Sequence, residues 1–544
     1  MLAVYACLSA VYLLYLPHAL PVLDDWTILE IFREARTAGV AGAAGFLGRL
    51  VDNTWWGQFR IFWASFVPVY ALSWVAGFAG WPYFLLAWTA HCVTSVLLGR
   101  AISLLAADER AGFLAGAVFA VFPAASNNLL WPLGNYYWPP LFLMLWFYRS
   151  WKKLAVADPP GYGWKDAALA LPVAFAGEQT LPALLLLMPL TALLFGSPAA
   201  RGRLLRWSAA HLATLIVLLA AYVFLVNNVP VRGTFALRYT GGAWSLLPFV
   251  KTLAASLGLL PGVAEWSPRW RPELALMALL ALAGAAFFWC GRRVRDGSPP
   301  PARLLKLFLW SAAAAALTYL PVALLPGVEW RYLHAPSLFL VPAGVALLSL
   351  LKGPAPVATA LLAIAYCVSL TYFEIRQCWV PESREARSVL DAIAAARPFR
   401  AFDMLIFSGA PHATGPAPSF ILGASWALRG ALQHHAGAAL ELLGARELLV
   451  NDRGELALYN RDRTRRITRQ DFPHLRPFVR GPDGRFHPKS VLAIPASEGR
   501  LEVIALPRFR GVVPAAPVTR EELDRSGWSP DIYFAHRIGG PSPW

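Results

Sequence analysis

Two adjacent aspartates, Asp24 and Asp25, stand in "LPHALPVLDDWTILEIF", directly after the first apolar run of the chain. Two neighbouring carboxylates disfavour each other's ionisation, which moves such a pair towards the range where one can accept a proton. An Asp ahead of "WTILEIFREA" is also a natural helix N-cap, and the two roles can be divided between the two residues. A third carboxylate, Glu178 in "VAFAGEQTLPALLLL", lies within apolar sequence far from any basic loop. An ionisable group in such a setting is costly and marks a functional candidate. It also reads as the wetted tip of a helical hairpin. "LPGVEWRYLHAPSLFL" sets Arg331, Tyr332 and His334 at the border of another apolar run. An Arg there suits a phosphate, because its planar fork donates two parallel hydrogen bonds. Arg60 is a second cation in an otherwise aromatic stretch.

Amide and aromatic groups cluster in "FPAASNNLLWPLGNYYWPP", which offers Asn127, Asn128, Trp131, Asn135 and Tyr136. That combination fits sugar recognition by hydrogen bonding and ring stacking, and equally an interfacial aromatic belt. His91, inside "LLAWTAHCVTSVLL", reads as a ligand-facing group or as a helix–helix hydrogen bond. No His, Cys, Asp and Glu spacing marks a metal site. The five cysteines are scattered, without a disulfide framework or a CxxC pair. No cofactor is required by the sequence; a divalent cation is compatible with the chemistry but no ligand cluster supports one.

These residues need a frame, and composition supplies it. Of 544 residues 57% are hydrophobic and 15% charged, with a mean hydropathy of +0.49. Apolar runs approaching the ~20 residues that cross a bilayer recur along the chain. They predict a mainly α, polytopic membrane protein with about 11 transmembrane helices, at 2–20, 82–103, 111–127, 138–148, 166–178, 180–196, 207–226, 272–290, 304–326, 335–351 and 356–374. The first run lacks a basic leader and a small-residue cleavage site, and is read as a retained span. The pI near 9.9 would suit nucleic acid, but the basic residues have another explanation. With the N-terminus inside, five short loops ("YRSWKKL", "RGRLLR" and "CGRRVRDGSPPPARLLK" among them) hold fifteen Lys or Arg, against ten in the much longer outer segments. This is the positive-inside pattern, so no nucleic-acid partner is inferred. Two further stretches, 62–81 and 244–262, are rich in Trp, Tyr, Pro and Gly and are expected to lie along the outer interface. Read instead as crossings, they would put two basic loops outside.

Residues 1–374 thus form the membrane domain, with an outer loop and interfacial helices over 21–81. Residues 375–544 change character, to short apolar runs, turns and mixed charge. "FDMLIFSGAP" and "ARELLVNDRGELALYN" suggest strands, and "SREARSVLDAIAAAR" and "SWALRGALQHHAGAALELLGA" suggest helices. A soluble C-terminal α/β domain on the outer, periplasmic side of a bacterial-type cytoplasmic membrane is the expectation.

The order of these stretches resembles the GT-C superfamily of polyprenyl-phosphate-sugar-dependent glycosyltransferases. The protein O-mannosyltransferase-like branch is the most similar. There, an acidic pair, a span with a late His, an "FxxxP" outer loop, a Lys-Glu hairpin and an "RYLY-P" motif follow one another. Residues 15–345 carry the likeness; the Lys-Glu is Gly177-Glu178 here, a Gly-Arg is Gly134-Asn135, and an Arg-Pro is Arg60-Ile61. The resemblance implies an inverting sugar transfer from a polyprenyl-phosphate donor, at the outer face of the bilayer, to an envelope glycan, lipid or protein. It implies catalytic roles for Asp24 or Asp25 and Glu178, and donor contacts from Arg60, Arg331 and the polar outer ends. The rival readings are a polysaccharide ligase or polymerase, and a lipid-linked glycan transporter. A transporter would need a polar path through the bilayer, which one intramembrane acid does not provide.

Overall fold

The computed structural model describes residues 1–22, 24–51, 63–134, 136–155, 161–225, 300–323, 330–350 and 355–395, a few positions within 250–257, and eight strand segments between 403 and 538. The expected span at 272–290, the stretch 244–262 apart from those positions, Arg60, Asn135 and the expected helix in "SWALRGALQHHAGAALELLGA" lie outside the described residues. So do the side chains of Asp24, Asn127 and Arg331, whose backbones are described.

The chain divides into two compact units, Met1–Ala19 with Phe32–Gln377, and Leu20–Ile31 with Cys378–Trp544. The second unit therefore takes in the acidic segment as well as nearly all of the expected C-terminal domain. The first unit is helical. It opens with α1 (Leu2–Ser9), continued by a 3-10 segment over Ala10–His18. Part of α2 (Asp24–Thr37), then α3 (Gly39–Val51) and α4 (Trp63–Ala76), precede the long helix α5 (Gly80–Ala106). Beyond it come α6 (Glu109–Ala120), α7 (Ser126–Leu130), α8 (Trp138–Leu154), α9 (Trp164–Ala174), α10 (Leu181–Phe195) and α11 (Pro198–Leu225). The later helices are α12 (Pro301–Ala323), α13 (His334–Leu348) and α14 (Ala355–Glu374).

Five described helical segments are long and apolar enough to cross a membrane: Gly80–Ala106, Glu178–Phe195, Ala200–Tyr222, Pro301–Ala323 and Pro356–Arg384. A sixth crossing is reached if Glu109–Ala120 and Pro123–Leu130, bent by 50° at their junction, count as one broken span. The other expected spans among the described residues are shorter elements. The α9 helix has only 11 residues, about 16 Å at 1.5 Å per residue, against a hydrocarbon core of about 30 Å.

Small residues let three of these helices approach closely, as in membrane interfaces, where packing replaces the hydrophobic drive. A Cβ on Gly112 would lie 1.9 Å from Ser103 Oγ and 2.3 Å from the Gly99 carbonyl oxygen. A Cβ on Gly116 would meet the Tyr5 hydroxyl at 2.5 Å. Tyr5 uses that notch to donate to the Phe113 carbonyl at 3.1 Å. The turn between α5 and α6 is sealed by polar groups. Ala107 adopts the left-handed conformation (φ 53°), and Asp108 accepts from the Arg110 N–H. From α12, Arg303 donates to the Leu105 and Leu104 carbonyls at 2.8 and 3.4 Å, so a side chain answers the free end of α5. On the α8–α9 connection, Lys153 pairs with Asp166 at 2.7 Å, and the same carboxylate accepts from the Gly163 N–H. Lys153 of "YRSWKKL" and Arg303 of "PPPARLLK" thus tie helix ends together.

Within the second unit, α15 (Val380–Ala395) precedes two sheets. In the larger, β1 (Asp403–Ser408) runs parallel to β5 (His474–Arg480) and antiparallel to β8 (Ala535–Ile538). Its edges are β2 (Leu440–Glu441) on β8 and β6 (Phe486–Pro488) on β5. In the smaller, β3 (Arg446–Asn451) pairs antiparallel with β4 (Leu456–Asn460), Val450 opposite Leu456, and with β7 (Trp528–Ser529).

The glycine notch sets a direct test. Gly112→Val forces α5 and α6 apart, and overpacking of this kind costs about 1–3 kcal/mol or more. Gly202, in α11, has nothing within 4 Å of a Cβ, so Gly202→Ala is expected to be neutral or to stabilise by up to ~1 kcal/mol. Thermal unfolding of both variants in detergent checks this. Equal melting temperatures would show that the notch is not a tight contact.

Candidate functional site

The tip between α9 and α10 is where most of the helical unit's candidates converge. The α9 helix stops at Ala174, the backbone extends through Gly177, and Glu178–Thr180 make a single 3-10 turn before α10 begins with Pro182 in its first turn. Gly177 packs against Pro139; a Cβ there would lie 3.2 Å from the Pro139 ring, so a larger side chain would have to displace it. Neighbouring elements supply hydrogen bonds to the exposed backbone of the tip. The Ala64 N–H donates to the Phe175 carbonyl at 2.9 Å, Ser65 Oγ donates to the Ala176 carbonyl at 2.7 Å, and Trp63 stacks on Phe175. The expected interfacial stretch 62–81 is therefore represented by a helix, α4, whose first turn is bonded to the tip.

From the same tip, Gln179 Nε2 donates to the Tyr332 carbonyl. The acceptor belongs to the 3-10 turn Trp330–Leu333, 153 residues further along the chain. Glu178, half-buried and itself engaged in interactions, is therefore next to a residue bonded to the turn that carries Arg331. Tyr332 is buried and meets Tyr136 edge-to-face at 5.6 Å. Three of the expected stretches, the "GEQT" tip, the "NYY" segment and the "RYLHAP" turn, are thus brought together.

His334 opens α13 and is buried, stacked on Phe119 at 5.7 Å with its ring centroid 5.5 Å from that of His91. His91 Nε2 lies 3.2 Å from the Ala120 carbonyl of α6, a contact between helices. Among the described residues the second ring nitrogen of His91 and both nitrogens of His334 lack a well-formed hydrogen bond, with the Phe119 and Tyr136 backbones nearby. Of the amide and aromatic cluster, Asn128 and Trp131 are buried and engaged within the protein, while Tyr136 is half-buried. Much of that run packs the helices rather than lying open.

One residue escaped the sequence reading. Glu374, the last residue of α14, accepts a hydrogen bond from Ser126 Oγ at 3.0 Å, across 248 residues. Next to Arg376 and at the end of an apolar run, it resembles an ordinary border charge. Its one legible signal is that it is the single acid in the stretch "APVATALLAIAYCVSLTYFE".

Asp24 and Asp25 belong to the second unit and open α2. Asp25 is buried; its N–H donates to the Val22 carbonyl at 2.9 Å, and its Oδ2 accepts from the Val22 N–H at 2.9 Å. This is the reach-back half of a capping box, a carboxylate turned to the residue three positions earlier rather than forward along the helix. Asp25 thus serves the helix start, in a different geometry from the forward N-cap the sequence suggests. Among the described residues no group of three or more His, Cys, Asp or Glu is placed to hold a metal ion. No family model, curated protein or solved structure matches the chain, so its chemistry is read from its own residues.

Proposed function

We propose that the chain is a membrane-embedded inverting glycosyltransferase, moving a sugar from a polyprenyl-phosphate donor to an envelope glycan, lipid or protein at the outer face of a bacterial-type cytoplasmic membrane. The observation that carries the reading is the hydrogen bond between Gln179 and Tyr332. It joins the carboxylate-bearing tip to the arginine-bearing turn, two positions whose order and types the resemblance assigns to one site. Candidate crossings on either side of these segments support placement at a bilayer.

In this mechanism an acceptor hydroxyl oxygen attacks the anomeric carbon from the face opposite the phosphate. The bond from that carbon to the phosphate oxygen breaks, polyprenyl phosphate leaves, and a single displacement inverts the centre. The hydroxyl proton passes to a carboxylate acting as general base. Asp24 is assigned that role, because Asp25 is committed to the start of α2. Arg331, with Arg60, offsets the charge that builds on the leaving phosphate. Glu178 accepts hydrogen bonds from sugar hydroxyls, and Tyr136 and Tyr332 offer ring faces to the sugar. The bilayer supplies the donor by lateral diffusion.

Purified protein mixed with a lipid-linked sugar and extracted envelope glycans is expected to release polyprenyl phosphate; no release from any donor and acceptor tried would count against the transferase reading. Asp24→Asn is expected to insert normally, still bind the lipid-linked sugar, and lose about 10²-fold or more of its rate. Asp25→Asn keeps an acceptor oxygen for the Val22 N–H and is expected to retain most of the stability and more of the rate. Full activity in both single variants and in the double variant would end the catalytic reading of the pair.

The orientation has its own measurement. A reporter fused after Trp544 should be active outside the membrane, and one placed in 291–306 should be active inside. An inside C-terminus would remove the outer-face site.

A further inference from the structure

The contact between Glu374 and Ser126 has no part in the mechanism above, yet it sits at a sensitive place. The α6 helix ends at Ala120, and the chain turns through Val121 and Phe122 before resuming at Pro123 with a 50° bend. A break of this kind inside an apolar bundle frees backbone groups that only the protein can satisfy, and such breaks are kept where irregular backbone lines a site. This one is held by two polar contacts from other helices. Tyr12 donates to the Phe122 carbonyl at 3.5 Å, and Ser126 Oγ donates to Glu374 Oε1 at 3.0 Å. Ser126 is fully buried and Glu374 half-buried, and the acceptor is a carboxylate, the stronger kind of partner.

Glu374 also stands at a change of helical winding. The α14 helix passes at once into a π-helical turn over Ile375–Trp379, a form that recurs at functional positions. A border charge needs only water and headgroups. This carboxylate is instead bonded to one buried hydroxyl in the first turn of α7, immediately before Asn127 and Asn128.

Resting on the transferase reading, we propose that Glu374 is a positioning residue: through Ser126 it fixes the broken-helix segment 123–134 that leads directly to Tyr136, one of the rings assigned to the sugar, and so sets donor affinity rather than the chemical step. The bond acts as a latch between the end of the last described membrane helix of this unit and the start of α7. Releasing it leaves the reacting groups in place but allows the segment to sample orientations that do not bind sugar.

The test uses the full-length protein in lipid nanodiscs with Glu374→Ala, Glu374→Gln, Ser126→Ala and the double alanine variant. Hydrogen exchange over 119–134 is read alongside release of polyprenyl phosphate against lipid-linked sugar concentration. Loss of a charge-assisted bond corresponds to about tenfold or more in an equilibrium constant. Each alanine variant is expected to exchange about tenfold faster over 119–134, with KM raised by a similar factor and kcat within about twofold of wild type. Glu374→Gln keeps an acceptor oxygen and should stay near wild type in both. The double variant should be no worse than Glu374→Ala alone, because that variant has already removed the bond to Ser126.

Unchanged exchange in both alanine variants would overturn the latch. A hundredfold fall in kcat for Glu374→Gln, with exchange at the wild-type rate, would overturn it differently, by making the carboxylate a reacting group. If Glu374→Ala fails to accumulate, Ser126→Ala, which removes only a hydroxyl, carries the same expectations. A wild-type protein that releases no polyprenyl phosphate would refute the transferase reading and the effect on donor affinity, while exchange would still confirm or refute the latch.

Discussion

Backbone groups released where a helix stops in an apolar surrounding have no water to turn to, and this constraint governs the helical unit. Each described break is met by a specific partner. The Phe175 and Ala176 carbonyls receive Ala64 and Ser65, the Tyr332 carbonyl receives Gln179, the Phe122 carbonyl receives Tyr12, and the last carbonyls of α5 receive Arg303. The residues that satisfy the breaks come from distant parts of the chain. Satisfying the backbone and assembling the candidate site are therefore one process. One of them, from Gln179 to Tyr332, joins two segments that the sequence marks as chemically active.

The polar interior is divided by function as well as by position. Thr191 on α10 receives the Trp310 indole N–H of α12 at 2.8 Å, and His211 on α11 lies between the Trp146 and Trp207 rings with both nitrogens near an oxygen. These groups are satisfied and hold helices together. The His91 and His334 pair is different, since among the described residues three of its four buried ring nitrogens lack a well-formed hydrogen bond. A buried polar atom without a partner costs about 1–3 kcal/mol. The cost falls beside Phe119 and the turn that carries Tyr332, next to the segments assigned to substrate.

Hydropathy alone identifies α5, α10, α11, α12 and α14, because each is a long apolar run; α10 stays one helix although Pro189 lies near its centre. It fails where the breaker is a residue it scores as neutral. The expected span 111–127 contains Pro123, and there the chain turns into two short helices; the run 2–20 contains Pro17 and passes into a 3-10 segment. The expected span 166–178 loses its last turn because Gly177 extends the backbone. Among site residues, the types and borders of Glu178, Tyr136 and Tyr332 are visible in sequence, but their meeting is not, since a 153-residue contact leaves no local trace. Glu374 shows the reverse. Its chemistry is plain in the sequence, but its partner Ser126 is an ordinary small residue in a loop, and only the fold distinguishes that serine from others.

The seat of Tyr5 has a consequence for how the molecule is made. Its hydroxyl rests in the notch around Gly99 and Gly116 and donates to Phe113, 108 residues later. Helix α1 therefore lacks this docking place until α5 and α6 have followed it from the ribosome. At about 5–20 residues per second, it must wait on the order of 5–20 s in the lipid or beside the insertion machinery. Its own composition suits the wait, because Leu2–Ser9 carries no charged side chain and its exposed face can rest against acyl chains. A substitution that slows synthesis or insertion of α6 would lengthen the interval in which the N-terminal helix is unescorted and open to membrane proteolysis. The glycines of α6 thus govern the survival of a helix synthesised long before them.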